Sequence, residues 1–287
     1  MKPVLEHLPL DAKESFVVKY FDYPYYPTPW HFHPEYELVL VTASTGKRFI
    51  GDSICHFTPG DLVLIGPNLP HLYRNDAAYY SGKTGLRASS IVIHFSENSF
   101  GSGFLSLPET GQLQKLFARS AKGLAITGDT NAVVSRKMHS LLGMEGLARW
   151  LGLVGILDML AASTETKPIC SHALQGRNET DSGRLNTVIE FVLKNFMREI
   201  MIGEAAALVH MAQNSFSRYF TQRTRKSFTA FVNEVRLSHA CTLLAQGSLP
   251  VTQICFSVGF NNLSNFNRQF KARYNTSPIG YRKAILG

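Results

Sequence analysis

His31, His33 and Glu37 are spaced so that, along an unbroken strand, all three side chains leave the same face. Two imidazoles and a carboxylate, joined by a fourth donor, make a set that holds a divalent transition metal. His71 is a further donor of the same type. The same residues also suit a framework without metal, and Pro34 disturbs the strand that the alternation assumes. Just before them stand Tyr23, Tyr25, Tyr26 and Trp30. Aromatic faces beside a few polar groups suit sugars and other small polyols, although such a run also packs the mouth of a β-barrel. Tyr23, Tyr25 and Trp30, with His31, His33, Glu37 and His71, are the candidate small-molecule contacts.

A second chemistry is written near the C-terminus. Phe216-x-Arg218-x-Phe220 returns 50 residues later as Phe266-x-Arg268-x-Phe270, and Arg223, Ser227 and Phe231 return as Arg273, Ser277 and Tyr281. Phenylalanines at i and i+4 share a helix face, so burying them turns the residues between them outward. A shared core accounts for the paired aromatics but does not require the paired arginines. An outward Arg can chelate guanine, and an outward Asn adenine, in the DNA major groove. The base-reading candidates are Asn214, Ser217 and Arg218 in the first copy and Ser264, Asn265 and Arg268 in the second. Arg223, Lys226, Lys271, Arg273 and Arg282 are candidates for phosphate contacts. The competing reading leaves Arg218 and Arg268 merely solvated, or pairs them with Glu204 or Glu234 inside the domain.

The charge distribution points the same way. The net charge of +8 divides unevenly at Gly183: residues 1–183 hold 16 Lys and Arg against 17 Asp and Glu, and residues 184–287 hold 13 against 4. All of the positive excess therefore lies in the last third. Cations gathered on one domain are the footprint of nucleic-acid binding, because each one near a phosphate releases condensed counterions. A basic, merely soluble surface has the same composition, so charge supports this assignment without deciding it.

The elements that carry these residues are legible in outline. Between Phe16 and Phe95, short apolar runs at Phe16–Val18, Leu38–Val41, Leu62–Ile65 and Ile91–Phe95 are punctuated by Gly, Pro and Asn, as in a β-sandwich or barrel. After Pro108, Leu113, Leu116 and Phe117 recur at helical spacing, and helices are expected over Asn131–Leu142 and Glu145–Ala162. Leu141, Leu142, Leu147, Trp150, Leu151, Val154 and Leu157 there form either a dimer face or ordinary internal packing. Residues 166–183 read as an exposed linker between a domain at 1–165 and one at 184–287. In that last domain a short apolar helix (Ile202–Val209, then Val251–Val258) meets a tight turn and a second helix, which is helix-turn-helix grammar. Gly259 is free to take positive φ at the second turn, and Asn262 can cap the helix after it.

The remaining features exclude several classes. No apolar leader opens the chain, and its most apolar segment, Trp150–Ala162, is too short to cross a bilayer and contains Asp158. A soluble, cytoplasmic protein without membrane contact is expected. Four cysteines lack CxxC spacing and read as reduced, mostly buried thiols. There is no P-loop and no nucleophile elbow.

The segment 184–287 resembles the DNA-binding domain of the AraC/XylS family. The resemblance rests on Arg236-Leu237, Ala240, Leu243-Leu244, Ile254, Val258-Gly259-Phe260, Phe266, Arg268, Phe270, Ser277-Pro278 and Tyr281-Arg282. It implies seven helices, one of them within Ser227–Gln246 joining two helix-turn-helix units. His210 and Ala212 depart from the family's usual turn glycine and serine cap, and Asn275 from a common glycine.

His31, His33, Glu37, Gly46, Pro59-Gly60-Asp61, Pro67, His71 and Asn75 together resemble the cupin barrel that many such regulators use as a sensor. That likeness implies that His71 meets the other three ligands. Phe117–Leu124 is similar to a stretch in cupin regulators of carbohydrate genes. The expected fold is an N-terminal cupin-like β-barrel with following helices and a C-terminal all-α double helix-turn-helix domain. The expected function is transcription regulation rather than catalysis. The partners implied are duplex DNA, a small-molecule effector of sugar type, a second copy of the chain and, for an activator, RNA polymerase. No cofactor is required, and a divalent metal is an optional occupant of the barrel. The alternative is a metal-dependent cupin oxygenase or sugar isomerase fused to a DNA-binding domain.

Overall fold

A computed structural model of the chain describes residues 14–81, 85–172 and 179–286, and divides them into two compact units, the first of residues up to 53 and 57–179 and the second of residues from 180 on together with Ile54–His56. In the first, the apolar runs form strands. β1 (Val17–Tyr23), β2 (Tyr36–Ala43), β5 (Leu62–Ile65), β7 (Ala88–Phe95), β8 (Leu124–Ile126) and β9 (Thr166–Pro168) make a six-stranded antiparallel sheet in the order β1-β7-β2-β5-β8-β9. β3 (Gly46–Ile50), β4 (Ser53–Phe57) and β6 (His71–Asn75) make a second sheet, ordered β4-β3-β6.

Alternation along the central strands decides what each face meets. Leu38, Leu40, Ile91, Ile93 and Phe95 pack on one side in a core shared with α1 (Gly111–Ser120), α2 (Gly128–Leu141) and α3 (Gly146–Ala162). Val39 and Val92 point to the other side, with Ile50 and Leu69. The central strands are therefore apolar on both faces, which is why they read as continuous runs. The motif residues outside the histidine cluster hold this frame. Asn75 Oδ1 accepts the Tyr26 backbone N–H at 2.7 Å, and Asp61 pairs with the buried Arg48 at 3.2 Å. A side chain at Gly46 would meet the Arg74 carbonyl oxygen at 2.1 Å, so only glycine lets β3 and β6 close.

The start of the expected linker belongs to this unit instead. Thr166–Pro168 pairs with β8, the Ile169 and Cys170 N–H groups donate to Gly123 and Lys122, and Cys170 is buried. Residues 173–178 of that linker lie outside the described residues. The helices proposed as a dimer face divide their apolar residues. Leu141 and Leu157 are core, Trp150 and Val154 pack against it, and Leu142, Leu147 and Leu151 stay exposed.

The second unit is helical, with seven helices among the described residues. They are α4 (Glu179–Asn195), α5 (Ile202–Leu208), α6 (Gln213–Thr224), α7 (Phe228–Gln246), α8 (Val251–Ser257), α9 (Leu263–Tyr274) and α10 (Pro278–Leu286). α4 starts ahead of the expected boundary at residue 184. Phe216 and Phe220 of α6 pack on Phe228 and Phe231 of α7, with ring centroids 5.3–5.5 Å apart across the helices. Phe266 and Phe270 of α9 pack in a second core with Leu237, Ala240 and Leu244 from the other half of α7. The four cysteines are free thiols, three buried and Cys55 partly so. No described helix is long and apolar enough to cross a membrane.

Candidate effector cavity and nucleic-acid interface

His31, His33, Glu37 and His71 converge as expected, but not along one strand. β2 begins only at Tyr36, and His31 is held by an isolated bridge to His71, each backbone N–H donating to the other's carbonyl at 3.1 and 2.9 Å. One donor atom from each of the four residues can be chosen so that all lie within 4.8 Å of one another, and all four side chains are buried. Each imidazole is oriented by a carbonyl: His31 Nδ1 by Pro29 at 2.8 Å, His33 Nδ1 by Glu35 at 3.1 Å and His71 Nδ1 by Leu69 at 2.8 Å. A carbonyl only accepts, so the proton of each neutral ring sits on Nδ1 and its Nε2 presents a lone pair.

This geometry tests whether a metal fits. Glu37 Oε2 lies 2.7 Å from His33 Nε2 and 2.9 Å from His71 Nε2. Lone pairs meet there unless each ring takes an extra proton or a cation accepts them. Burial holds His31 well below the usual imidazole range, so that ring is neutral. Burial alone would push Glu37 up, but His71 and His94 beside it hold it well below the usual carboxylate range, so it is ionised. Three neutral-capable imidazoles, each with a carbonyl behind it, around one carboxylate suit a divalent transition metal.

His31, Glu37 and His71 of the cluster form one wall of a small cavity of about 70 Å³. Tyr23, His31, Glu37 and His71 line it as expected from sequence. Tyr25, Trp30 and His33 do not. Tyr25 is exposed and packs on Tyr80 at 4.5 Å, and Trp30 and His33 are buried away from the lining. Sequence reasoning missed Phe21, Tyr73, Ser90 and His94, and Tyr26 joins the lining as well. Phe21 stacks on Tyr23 with centroids 5.8 Å apart. His94 is the register partner of Glu37 across β2 and β7, and its Nε2 lies 3.3 Å from Glu37 Oε2. Neither His94 ring nitrogen makes a hydrogen bond, nor does the buried Tyr73 hydroxyl. His94 carries no motif signal; only the strand register puts it beside Glu37.

In the second unit both helix-turn-helix arrangements form. The second turn uses Gly259 at φ 90°, and a side chain there would lie 2.5 Å from the Phe196 carbonyl oxygen. Asn262 caps α9, its Oδ1 accepting the Asn265 N–H at 2.9 Å. In the first turn His210 takes the left-handed conformation, at φ 55°, and Ala212 at the head of α6 makes no side-chain cap. Asn275 and its counterpart Arg225 close α9 and α6 in the same left-handed conformation, both at φ 56°.

The buried phenylalanine pairs leave Asn214, Arg218, Ser264 and Arg268 exposed, with Ser217 and Asn265 partly so. Arg268 donates to Asn265 Oδ1 at 3.0 Å. The two acids considered as partners for these arginines are taken by others. Arg198 pairs with Glu204 at 2.7 Å, and the buried Glu234 is bonded by Lys226 Nζ and, at 3.1 Å, by Arg273 Nε. Lys226 and Arg273, expected on phosphates, thus have a partner within the domain. Arg282 turns inward and donates to the Leu249 carbonyl. Lys271 is exposed, and the Arg223 guanidinium lies 5.6 Å from the centre of the Tyr219 ring.

Known proteins share both halves of this arrangement. An AraC-like ligand binding domain matches residues 15–143, and a helix-turn-helix domain matches residues 205–284. The Msm operon regulatory protein of Streptococcus mutans is 23% identical over 256 residues, 87% of this chain and 84% of that one. The transcriptional activator RhaS of Klebsiella pneumoniae is 23% identical over 265 residues, 89% and 87% of the two chains. An HTH-type transcriptional regulator of Haemophilus influenzae is 33% identical over 125 residues, 41% of this chain and 42% of its own. These relatives are regulators, and none supports the enzyme alternative. A barrel that matches a ligand-binding domain, joined to a paired helix-turn-helix unit, makes this chain a member of the AraC family of DNA-binding transcription regulators.

Proposed function

We propose that this regulator answers to a small, neutral, oxygen-rich effector of carbohydrate type held in the barrel cavity. The observation that carries the reading is the lining itself. The stacked Phe21 and Tyr23 offer an apolar face for ring C–H groups, and His94 and Tyr73 offer buried polar atoms that make no hydrogen bond. No Lys or Arg lines the cavity among the described residues, and the ionised Glu37 in its wall disfavours a strongly anionic ligand. His31, His33, Glu37 and His71 would hold a divalent metal, which when bound supplies a Lewis-acidic centre for an effector oxygen.

On the DNA side, Arg218 and Arg268 are the leading base readers, with Asn214, Ser217, Ser264 and Asn265 beside them. Lys271, which is exposed, leads the phosphate contacts, with Arg223 a further candidate. Recognition helices joined by one helix would enter successive major grooves about 34 Å apart, so the operator has two boxes about one turn apart. The working form is a cytoplasmic homodimer built on the exposed side of α3, and an activator would also meet RNA polymerase.

Thermal melting of the full chain against a panel of neutral monosaccharides and polyols, with and without Zn(II) or Mn(II), tests the effector reading. A ligand bound only by the folded state raises the melting temperature by linkage. The expected result is a saturable rise with a subset of the panel that also changes operator affinity. No shift with any member, alongside a shift with small carboxylates, would replace the carbohydrate class.

A further inference from the structure

We infer that Glu234 is a positioning residue that sets the separation of the two recognition helices. Its carboxylate is buried in the first half of α7, the helix that joins the two helix-turn-helix copies, and takes one cation from each copy. Lys226 comes from the first helix-turn-helix copy, two residues beyond the end of α6. Its backbone is tied to that end by Thr224, whose Oγ1 accepts the Lys226 N–H at 3.3 Å and donates to the Lys226 carbonyl at 3.1 Å. Arg273 comes from the last turn of α9, in the second helix-turn-helix copy. The C-terminal ends of both recognition helices are therefore fastened to one carboxylate.

A buried ion pair returns little net stability once desolvation is counted, and its best-attested use is to fix one arrangement among near-equivalents. The arrangement fixed here is the one a two-box operator would read. With Glu234 neutral, the packed phenylalanine cores would still hold each unit on α7, but the ends of α6 and α9 would lose their common anchor. The inference rests on the two-box reading, and its consequence is selectivity for spacing rather than affinity.

The test uses the full chain and a two-box operator selected for it from randomised duplexes, together with the same operator lengthened or shortened by one base pair between the boxes. Competition binding is read for the wild type, Glu234→Gln and Arg273→Met, each checked by thermal melting. The wild type is expected to lose about tenfold or more on the altered spacings, the scale on which one misaligned base contact is felt. Glu234→Gln is expected to stay within a few-fold of wild type on the selected operator while losing most of that discrimination, and Arg273→Met to do the same. Discrimination equal to wild type in both variants would overturn the role. So would tighter binding of every duplex by Glu234→Gln, or a uniform loss in Arg273→Met with a salt slope reduced by about one, since either makes these cations phosphate contacts. A wild type indifferent to spacing would overturn the two-box reading as well. If Glu234→Gln does not fold, Arg273→Met and Lys226→Met decide.

Discussion

Ala212 and Asn262 stand at the same position 50 residues apart, at the heads of α6 and α9, and only Asn262 bonds a free backbone N–H, that of Asn265 at 2.9 Å. The two helix-turn-helix copies are thus alike in fold and unequal at the start of their recognition helices. Replacing an N-cap residue that bonds by one that cannot costs about 0.5–2 kcal/mol, so the reverse change is a gain. Ala212→Ser is expected to stabilise the chain by about 1 kcal/mol in denaturant melts. Asn262→Ala should destabilise it by a similar amount, and equal effects of opposite sign would make the asymmetry one of capping alone.

Base reading by the two arginines is separable by substitution. Arg268→Ala should cost about 1–3 kcal/mol on the selected operator and relax preference within one box. Arg218→Ala should do less, because its helix begins uncapped. Lys271→Ala should weaken all sequences alike and lower the salt slope. Selection from a randomised duplex library measures all three, and unchanged base preference in both arginine variants would remove the assignment.

Lys47 gives a pH signature of the barrel. Burial pushes its ammonium down from 10.5 to about 8, with Asp76 acting against the shift. Between those values the unfolded chain binds more protons than the folded one, so stability rises with pH across that window. Lys47→Met is expected to be more stable than wild type by on the order of 3 kcal/mol near pH 7, and the gap should close as the pH approaches 10.5. Urea melts of both proteins at stepped pH measure the difference; a constant gap would mean that Lys47 has the same pKa in the folded and unfolded chains.

On α3, Leu147 and Leu151 are 71% and 54% exposed and lie one helical turn apart. If that stripe is the dimer face, Leu147→Asp with Leu151→Asp should shift the full chain toward monomer in sedimentation while leaving its melting temperature within a few degrees. An unchanged sedimentation coefficient would remove α3 from the interface.

Much of the helical unit was legible because its signals are local. Phenylalanine spacing, the glycine at residue 259 and the asparagine cap at residue 262 each act within one turn, and all three form as read. The barrel was legible only where strands are apolar. β3 and β6 were missed because Lys47, Arg48 and Arg74 interrupt them, and Lys47 and Arg48 are buried, a placement no hydropathy pattern anticipates. β9 was read as linker because Thr166-Lys167-Pro168 has no strand signature apart from its pairing with β8. The histidine cluster was found by residue type, but the strand assumed to align it was absent, since Pro34 separates His31 and His33 from β2. His94 needed the register with Glu37, which spacing along the chain does not encode.

α7 lends its first half to one phenylalanine core, through Phe228 and Phe231, and its second half to the other, through Leu237, Ala240 and Leu244. Neither half of the repeat owns a complete interior. A cut or a proline in the middle of this helix would expose both cores at once, so the seven helices should melt as one cooperative block, and amide protons along α7 should exchange only by global opening. The two helix-turn-helix copies should therefore stand or fall together, because each packs its core on the same helix.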